Sequence, residues 1–317
     1  MSGAPLAVYS GPRDLEGIVR DELGARFTVR WVGPEDDAVA KALRDATVFL
    51  DASMRVRITA AMVADAPDLA LIVTATTGAD HIDADALTRR HIPLLTLKGQ
   101  SAVLNSLTPA AEHSWLLLLA CARSLPAARA HVVDGGWDRT LFPGVMLRGR
   151  TLGIIGCGRI GQWMARYGQA FGMTCRGYDP YLTVWPDHLI RTELPELLAA
   201  ADFVTLHVHL TEATRGLLRR EHFQAMKPGA VFVNTSRGEL IDEAALLEAL
   251  RHGRLRGAGL DVLTGEPDIA EHPLRRYAAG HGNLIITPHI GGYSPDAVAA
   301  VLRFSASRIR AHFEDTR

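Results

Sequence analysis

Thr151-Leu-Gly-Ile-Ile155 runs without interruption into Gly156-Cys-Gly-Arg-Ile-Gly161, and a helical stretch, Gln162-Trp-Met-Ala-Arg166, follows directly. A glycine fingerprint alone is weak evidence, but placed between an apolar strand and a helix it reads as the opening of a dinucleotide-binding βαβ unit. In that reading Gly156 permits the tight turn, Gly158 lets the backbone approach a pyrophosphate, and Gly161 lets the helix pack on the strand. Arg159 and Ile160 complete the loop, and the helix N terminus faces the phosphates. Eighteen positions beyond Gly161, Asp179 closes the next apolar run, Cys175-Arg-Gly-Tyr-Asp179. Its carboxylate is placed to accept hydrogen bonds from a ribose and to repel a 2′-phosphate, so NAD is expected over NADP. Arg176 is the one neighbour that would tolerate a 2′-phosphate.

Outward from this loop, short apolar runs alternate with helical stretches. Toward the C terminus they are 173–178, 203–208, 230–234, 255–261 and 284–287, with a helix over 243–250 among the segments between them. That series reads as a complete doubly wound domain. Before it lies an apolar helix over 108–125, expected in a core or at a subunit interface. Five further apolar runs precede the helix, at 6–9, 27–32, 47–50, 69–73 and 93–97, and predict a second, smaller parallel α/β unit. A last helix, about 295–313, follows the final strand with nothing left to pair, and is expected to pack back on the N-terminal lobe. The predicted organisation is therefore two Rossmann-like doubly wound parallel-sheet domains with an active-site cleft between them. A discontinuous substrate domain takes residues 1–102 and 292–317, and the NAD-binding domain takes 103–291.

The bulk properties agree with two ordinary globular lobes. The 317 residues are 48% hydrophobic and 22% charged, which excludes a chain dominated by disorder. A formal charge of -1 provides no net field to gather nucleic acid or anionic lipid. Cys121, Cys157 and Cys175 share no CxxC spacing, so a reducing compartment is expected. The first residues lack a basic segment followed by an apolar one, and no run approaches the roughly 18 apolar residues of a membrane span. A cytoplasmic protein, with neither membrane nor nucleic-acid partner, is the expectation.

Three more stretches sit at the ends of predicted strands, where open α/β sheets place their ligands. They are Asn234-Thr-Ser-Arg-Gly238, Gly259-Leu-Asp-Val-Leu-Thr-Gly-Glu-Pro267 and Thr287-Pro-His-Ile-Gly-Gly292. Together with the glycine loop, the Ala111-Glu-His113 helix and the loop Thr77-Gly-Ala-Asp-His-Ile-Asp83, they closely resemble the D-isomer-specific 2-hydroxyacid dehydrogenases, of the phosphoglycerate dehydrogenase-like kind. The resemblance covers nearly the whole chain.

It implies an NAD-dependent D-2-hydroxyacid dehydrogenase moving a hydride between nicotinamide and C2 of a small 2-hydroxy or 2-keto acid. Arg237 matches the family arginine; a planar, permanently charged fork suits a carboxylate beside a carbonyl. His289 matches the general acid/base, and Glu266 the carboxylate that holds it and favours its charged form. Asp261 resembles the aspartate near the nicotinamide carboxamide, with Thr235, Ser236 and Gly291 close by. Thr108 is a further cofactor contact, and His209 stands where relatives commonly carry proline, on the adenine side. The backbone of Thr77, Gly78 and Ala79 is implied to receive the substrate carboxylate. The apolar face of the 108–125 helix suggests a homodimer through the cofactor domain.

Neither GxSxG nor a Walker sequence is present, and His207 and His209 have no matching carboxylate or cysteine spacing, so no metal is expected. The shared centre does not separate one 2-hydroxy acid from another, although Arg55 and Arg57 lie near the place where phosphoglycerate enzymes bind phosphate. NAD-sensing corepressors of the C-terminal-binding type keep the same three residues and are the alternative reading. This sequence carries no long low-complexity extension, which favours the enzyme.

Overall fold

A computed structural model describes residues 4–53 and 55–314. Contacts divide the chain into two compact units, one running up to Leu107 and resuming at Ser294, the other spanning Thr108–Tyr293. The junctions lie a few residues beyond 102 and 291, because Val103, Leu104 and Leu107 pack on the first unit's core. Positions 1–3 and 315–317 of the expected first domain lie outside the described residues.

The first unit is a five-stranded parallel sheet: β1 (Leu6–Ser10), β2 (Thr28–Val32), β3 (Val48–Asp51), β4 (Leu71–Thr74) and β5 (Leu94–Leu95), in the order β2-β1-β3-β4-β5. Its central strands are buried on both faces, which is why they read as unbroken apolar runs. Successive residues nevertheless divide between two cores. Tyr9, Leu50 and Leu71 pack with Val301, Leu302 and Ile309 of the last helix, Pro295–Glu314. Val8, Phe49 and Ile72 pack on the opposite side with Val39, Val63 and Leu87 of shorter helices.

In the second unit seven parallel strands follow: β6 (Thr151–Ile155), β7 (Thr174–Tyr178), β8 (Ile190–Arg191), β9 (Phe203–Leu206), β10 (Ala230–Asn234), β11 (Leu255–Leu260) and β12 (Leu284–Ile286). The order β12-β11-β10-β9-β6-β7-β8 is doubly wound. The chain fills one half of the sheet from β6 outward, then crosses to β9 and fills the other, so loops diverge at the β6/β9 switch point and leave a crevice there for a ligand. The helix Pro109–Ala122 buries Leu117, Leu118 and Cys121 against Leu152, Ile154, Val231 and Val233 on one face. Helices over 194–200, 220–225, 243–251 and 273–278 cover the other. The two-residue edge strand β8 was not expected from the sequence, since Ile190 and Arg191 are both exposed and a lone isoleucine makes no apolar run. Among the described residues no single helix is long and apolar enough to cross a membrane.

Candidate active site in the second unit

The glycine loop has the backbone its sequence demands. Gly156 sits at φ 86°, and a Cβ there would lie 2.3 Å from the His207 carbonyl oxygen, on the far side of the switch point. A Cβ on Gly161 would meet the Gly156 carbonyl oxygen at 2.1 Å, whereas one on Gly158 would meet nothing within 4 Å. Two glycines are thus required by protein contacts and the third faces open space, at the N terminus of the helix Arg159–Ala170. Open space at a helix N terminus, whose first N–H groups have no acceptor within the helix itself, fits a pyrophosphate. Ile160 packs partly buried on the core, and burial lowers the Arg159 guanidinium from its usual pKa.

Asp179 follows β7 directly. Its Oδ2 accepts from the Cys157 N–H and its Oδ1 from the Tyr181 N–H, both at 3.0 Å, so the carboxylate is fixed to the glycine loop itself. Arg176 is committed to Glu196, with Nη1 3.0 Å from Oε1. Across the switch point, burial pushes the His207 imidazole down to about 3, and its Nε2 lies 2.7 Å from Thr205 Oγ1. That ring is neutral at physiological pH. His209 is exposed, its carbonyl accepting from Thr214 Oγ1. Thr108 stands at the N-cap position of the apolar helix without a side-chain cap bond, its hydroxyl donating instead to Glu112 at 2.5 Å.

The turn after β10 is built around Asn234, which is fully buried. Its Nδ2 donates to the Arg237 carbonyl and its Oδ1 accepts from the Ser236 N–H, both at 2.9 Å. Ser236 Oγ donates to the Leu206 carbonyl, and Thr235 Oγ1 lies 2.7 Å from Ser114 Oγ. Arg237 enters the turn extended, at φ -147°, with Nη1 donating to the Ser236 carbonyl. Gly238 comes next, and a Cβ on it would stand 2.2 Å from Thr264 N and 2.3 Å from Leu263 C. Only glycine allows the Arg237 turn and the Asp261–Pro267 loop to lie this close.

That loop carries Glu266. Its Oε1 is 2.6 Å from His289 Nδ1, and the two side chains keep 32% and 33% of their surface exposed. The loop is also held by Glu243, whose Oε1 accepts from the Thr264 N–H at 2.9 Å while Oε2 lies 3.1 Å from His272 Nε2. His289 occupies the left-handed region at φ 53°, which is uncommon outside glycine and persists where surrounding contacts over-determine it. Here its own N–H bonds to the Asp261 carbonyl at 2.9 Å. The Asp261 carboxylate then collects the Thr287 hydroxyl at 2.5 Å, the Ile290 N–H at 3.0 Å and the Gly291 N–H at 2.7 Å, with His113 Nε2 at 3.3 Å. Burial pushes this carboxyl up, but the bonds from His113, Thr287, Gly291 and Ile290 together outweigh it and leave the group below its ordinary value.

The second unit thus gathers Arg237, Glu266, His289, Asp261, Gly291, Thr235 and Ser236 around the ends of β10, β11 and β12. Thr77, Gly78 and Ala79 belong to the first unit, in the loop after β4, where Thr76 Oγ1 donates to the Gly78 carbonyl at 2.6 Å. Arg55 and Arg57 are exposed in that unit. Sequence reasoning did not single out Asn234, Glu243, His272, Thr287 or His113, nor the nearly buried Asp51 and His81 pair of the first unit, 2.7 Å apart. A polar side chain inside a strand or an otherwise apolar helix, as at Asn234 and His113, was the available signal. Among the described residues no group of three or more His, Cys, Asp or Glu is placed to hold a metal.

Residues 115–291 match the D-isomer specific 2-hydroxyacid dehydrogenase, NAD binding domain. D-3-phosphoglycerate dehydrogenase of Mycobacterium tuberculosis is 38% identical over 279 residues, 87% of this chain and 51% of that protein. Hydroxypyruvate reductase of Thermotoga maritima is 36% identical over 263 residues, 83% of each. The crystal structure of the TT0316 protein from Thermus thermophilus superimposes with a TM-score of 0.86 at 35% identity, covering 98% of this chain and 97% of that one. The chain belongs to the D-isomer-specific 2-hydroxyacid dehydrogenase family and carries its NAD-binding domain. It spans about half the length of the phosphoglycerate dehydrogenases it matches.

A carboxyl group with a lowered folded pKa adds stability that is complete above its unfolded value, about 4, and is lost as pH falls through the folded one. Asp261→Asn should therefore destabilise the protein by about 1–3 kcal/mol at neutral pH, the cost of leaving a buried partner unsatisfied. The difference from wild type should shrink in acid. Urea unfolding at neutral pH and below pH ~4 reads this, and a gap independent of pH would mean that the carboxylate charge does not hold the turn.

Proposed function

We propose that the protein is an NAD-dependent dehydrogenase acting on a small D-2-hydroxy acid, or reducing the matching 2-keto acid. The observation that carries this reading is the 2.6 Å contact between His289 Nδ1 and Glu266 Oε1, in a unit that also carries the Arg237 turn, packed through Gly238 on the loop that bears Glu266, and the open glycine loop. With Glu266 ionised, Nδ1 carries the hydrogen of that bond, which leaves Nε2 to exchange a proton with the substrate oxygen. Nε2 takes the hydroxyl proton in oxidation and returns it in reduction. The Glu266 charge stabilises the imidazolium formed on the way. The Arg237 guanidinium binds carboxylate and C2 oxygen together and polarises the carbonyl. Bound nicotinamide supplies or accepts the hydride. Thr77, Gly78 and Ala79 are assigned to the substrate carboxylate on the family resemblance, and Thr108 and His209 to the cofactor.

The deciding experiment is consumption of NADH at 340 nm with a panel of 2-keto acids, phosphorylated and unphosphorylated. Turnover on at least one is expected; NADH binding without turnover on any would favour a sensing role. On the best substrate Arg237→Lys should lose kcat/KM on the order of 10²-fold, since one ammonium cannot reproduce a two-point planar contact. Wild-type turnover in that variant would remove Arg237 from the substrate.

NAD is proposed over NADP because Asp179 follows β7 with its carboxylate bonded to the glycine loop and Arg176 is paired with Glu196. Asp179→Ala should narrow the kcat/KM preference for NAD by about tenfold, the worth of one hydrogen bond to a charged group. An unchanged ratio would sink the assignment.

A homodimer through this unit is supported by a run of exposed apolar side chains: Leu116, Leu125, Val133, Trp137, Leu141 and Met146, with Trp137 90% exposed. Monomeric proteins rarely leave so much apolar surface together. Light scattering should give twice the chain mass, and Trp137→Glu with Met146→Glu should halve it; a monomeric wild type would refute the dimer.

A further inference from the structure

We propose that His113 is a positioning residue for His289, acting through a hydrogen-bonded relay in which His113 Nε2–H donates to the Thr287 hydroxyl and that hydroxyl donates to Asp261. The inference rests on the reading of His289 as the proton carrier and extends it to a residue on another element.

His113 stands on the helix Pro109–Ala122, whose neighbouring side chains Ala111, Trp115, Leu117 and Leu118 are buried apolar groups. Its own side chain is 12% exposed. An imidazole in such surroundings is costly unless its nitrogens are bonded. Nε2 finds Thr287 Oγ1 at 2.8 Å and Asp261 Oδ1 at 3.3 Å.

Proton bookkeeping fixes the direction. Thr287 has one hydroxyl hydrogen, and its Oγ1 lies 2.5 Å from an Asp261 oxygen that is held as an anion, the short distance of a charge-assisted bond. That hydrogen therefore points at Asp261, and the Thr287 oxygen is left to accept. The hydrogen between Thr287 and His113 must come from Nε2.

The relay closes on the backbone of the catalytic turn. Asp261 receives the N–H groups of Ile290 and Gly291 at its carboxylate and that of His289 at its carbonyl. Thr287 begins the turn and Gly291 ends it. His289, between them, holds a left-handed conformation that this ring of bonds maintains. Without the His113 donor, Thr287 and Asp261 lose a side chain that ties their cluster to the apolar helix. The turn then gains freedom, and the His289 ring loses its fixed aim at Glu266. A displacement near 1 Å at a reacting group costs about 10²-fold in rate.

Two measurements on the whole chain test the relay. Nitrogen-15 NMR of the ligand-free protein should show His113 Nε2 protonated; an Nε2 without hydrogen overturns the proposal whether or not any keto acid is turned over. On a substrate that wild type reduces, His113→Leu should lower kcat by about 10²-fold, with KM for the keto acid and the NADH dissociation constant changed less than threefold. His113→Gln, whose amide nitrogen reaches the Nε2 position as a donor, should restore most of that loss, and the shorter His113→Asn should not. Thr287→Val keeps the shape and removes the hydroxyl, so it should lose as much, and combining it with His113→Leu should add little further. Wild-type kcat in His113→Leu, an equal loss in Gln and Leu, or additive losses in the double variant each overturn it. Absence of turnover in wild type, with Nε2 protonated, would instead refute the dehydrogenase reading and leave the relay standing.

Discussion

A carboxylate removed from water needs compensation worth several kcal/mol, and Asp261, 1% exposed, obtains three of its donors from a single short stretch of chain and a further one from His113 on the helix Pro109–Ala122. Thr287, Ile290 and Gly291 all turn their donors toward it, and His289 has its N–H bonded to the Asp261 carbonyl. A chain can surround one anion this way only by curling tightly, and the left-handed conformation of His289 is the local cost of the curl. The buried charge is therefore more than a tolerated polar group. It sets the shape of the turn that presents the imidazole.

The same logic of close approach organises the rest of the site. Doubly wound connectivity delivers the loops after β6, β9, β10, β11 and β12 to one edge of the sheet, but topology alone leaves them several ångströms apart. Contacts too tight for a side chain bring them together. Gly156 meets the His207 carbonyl, and Gly238 meets Leu263 and Thr264. Side-chain bonds to backbone then hold each loop where it is: Asn234 on the Arg237 turn, Glu243 on Thr264, Asp179 on the glycine loop. Such bonds restrict the backbone without occupying the face a ligand would use.

Most strands and the placement of the glycine loop were legible because they rest on local signals, apolar period and turn chemistry, which act over a few residues. Arg237, Glu266 and His289 were legible as members of recognisable stretches at strand ends, and of the three the contact seen directly is that between Glu266 and His289. His113 and Thr287 were not. Their meeting depends on how the helix Pro109–Ala122 packs across β10 and β11, a tertiary fact to which neither Glu112-His113-Ser114 nor Thr287-Pro288 contributes a periodic signal. Asn234 was quoted only as the first residue of a motif, and its function as the buried clamp of the Arg237 turn appears only once Arg237 O is seen to bond it. The edge strand β8 was missed for the opposite reason: pairing with β7 makes it a strand, while its two exposed residues give the sequence no reason to show it.

Two acidic side chains flank His289, and in the reaction proposed above their surroundings would divide the work between them. Asp261 is dry, saturated with donors and below its ordinary pKa, so its charge stays fixed while the chemistry proceeds. Glu266 keeps about a third of its surface in solvent and touches the imidazole nitrogen directly. A fixed charge with all its bonds satisfied is suited to geometry, since nothing about it has to change when a proton moves. A half-solvated one is suited to the proton itself, because water can reorganise around the pair as the imidazole gains and loses charge. Exchanging these environments would defeat both functions. A solvated Asp261 would compete with water for the turn's N–H groups and loosen them, and on the proposed mechanism a buried Glu266 would hold the imidazolium too firmly to release its proton to an alkoxide.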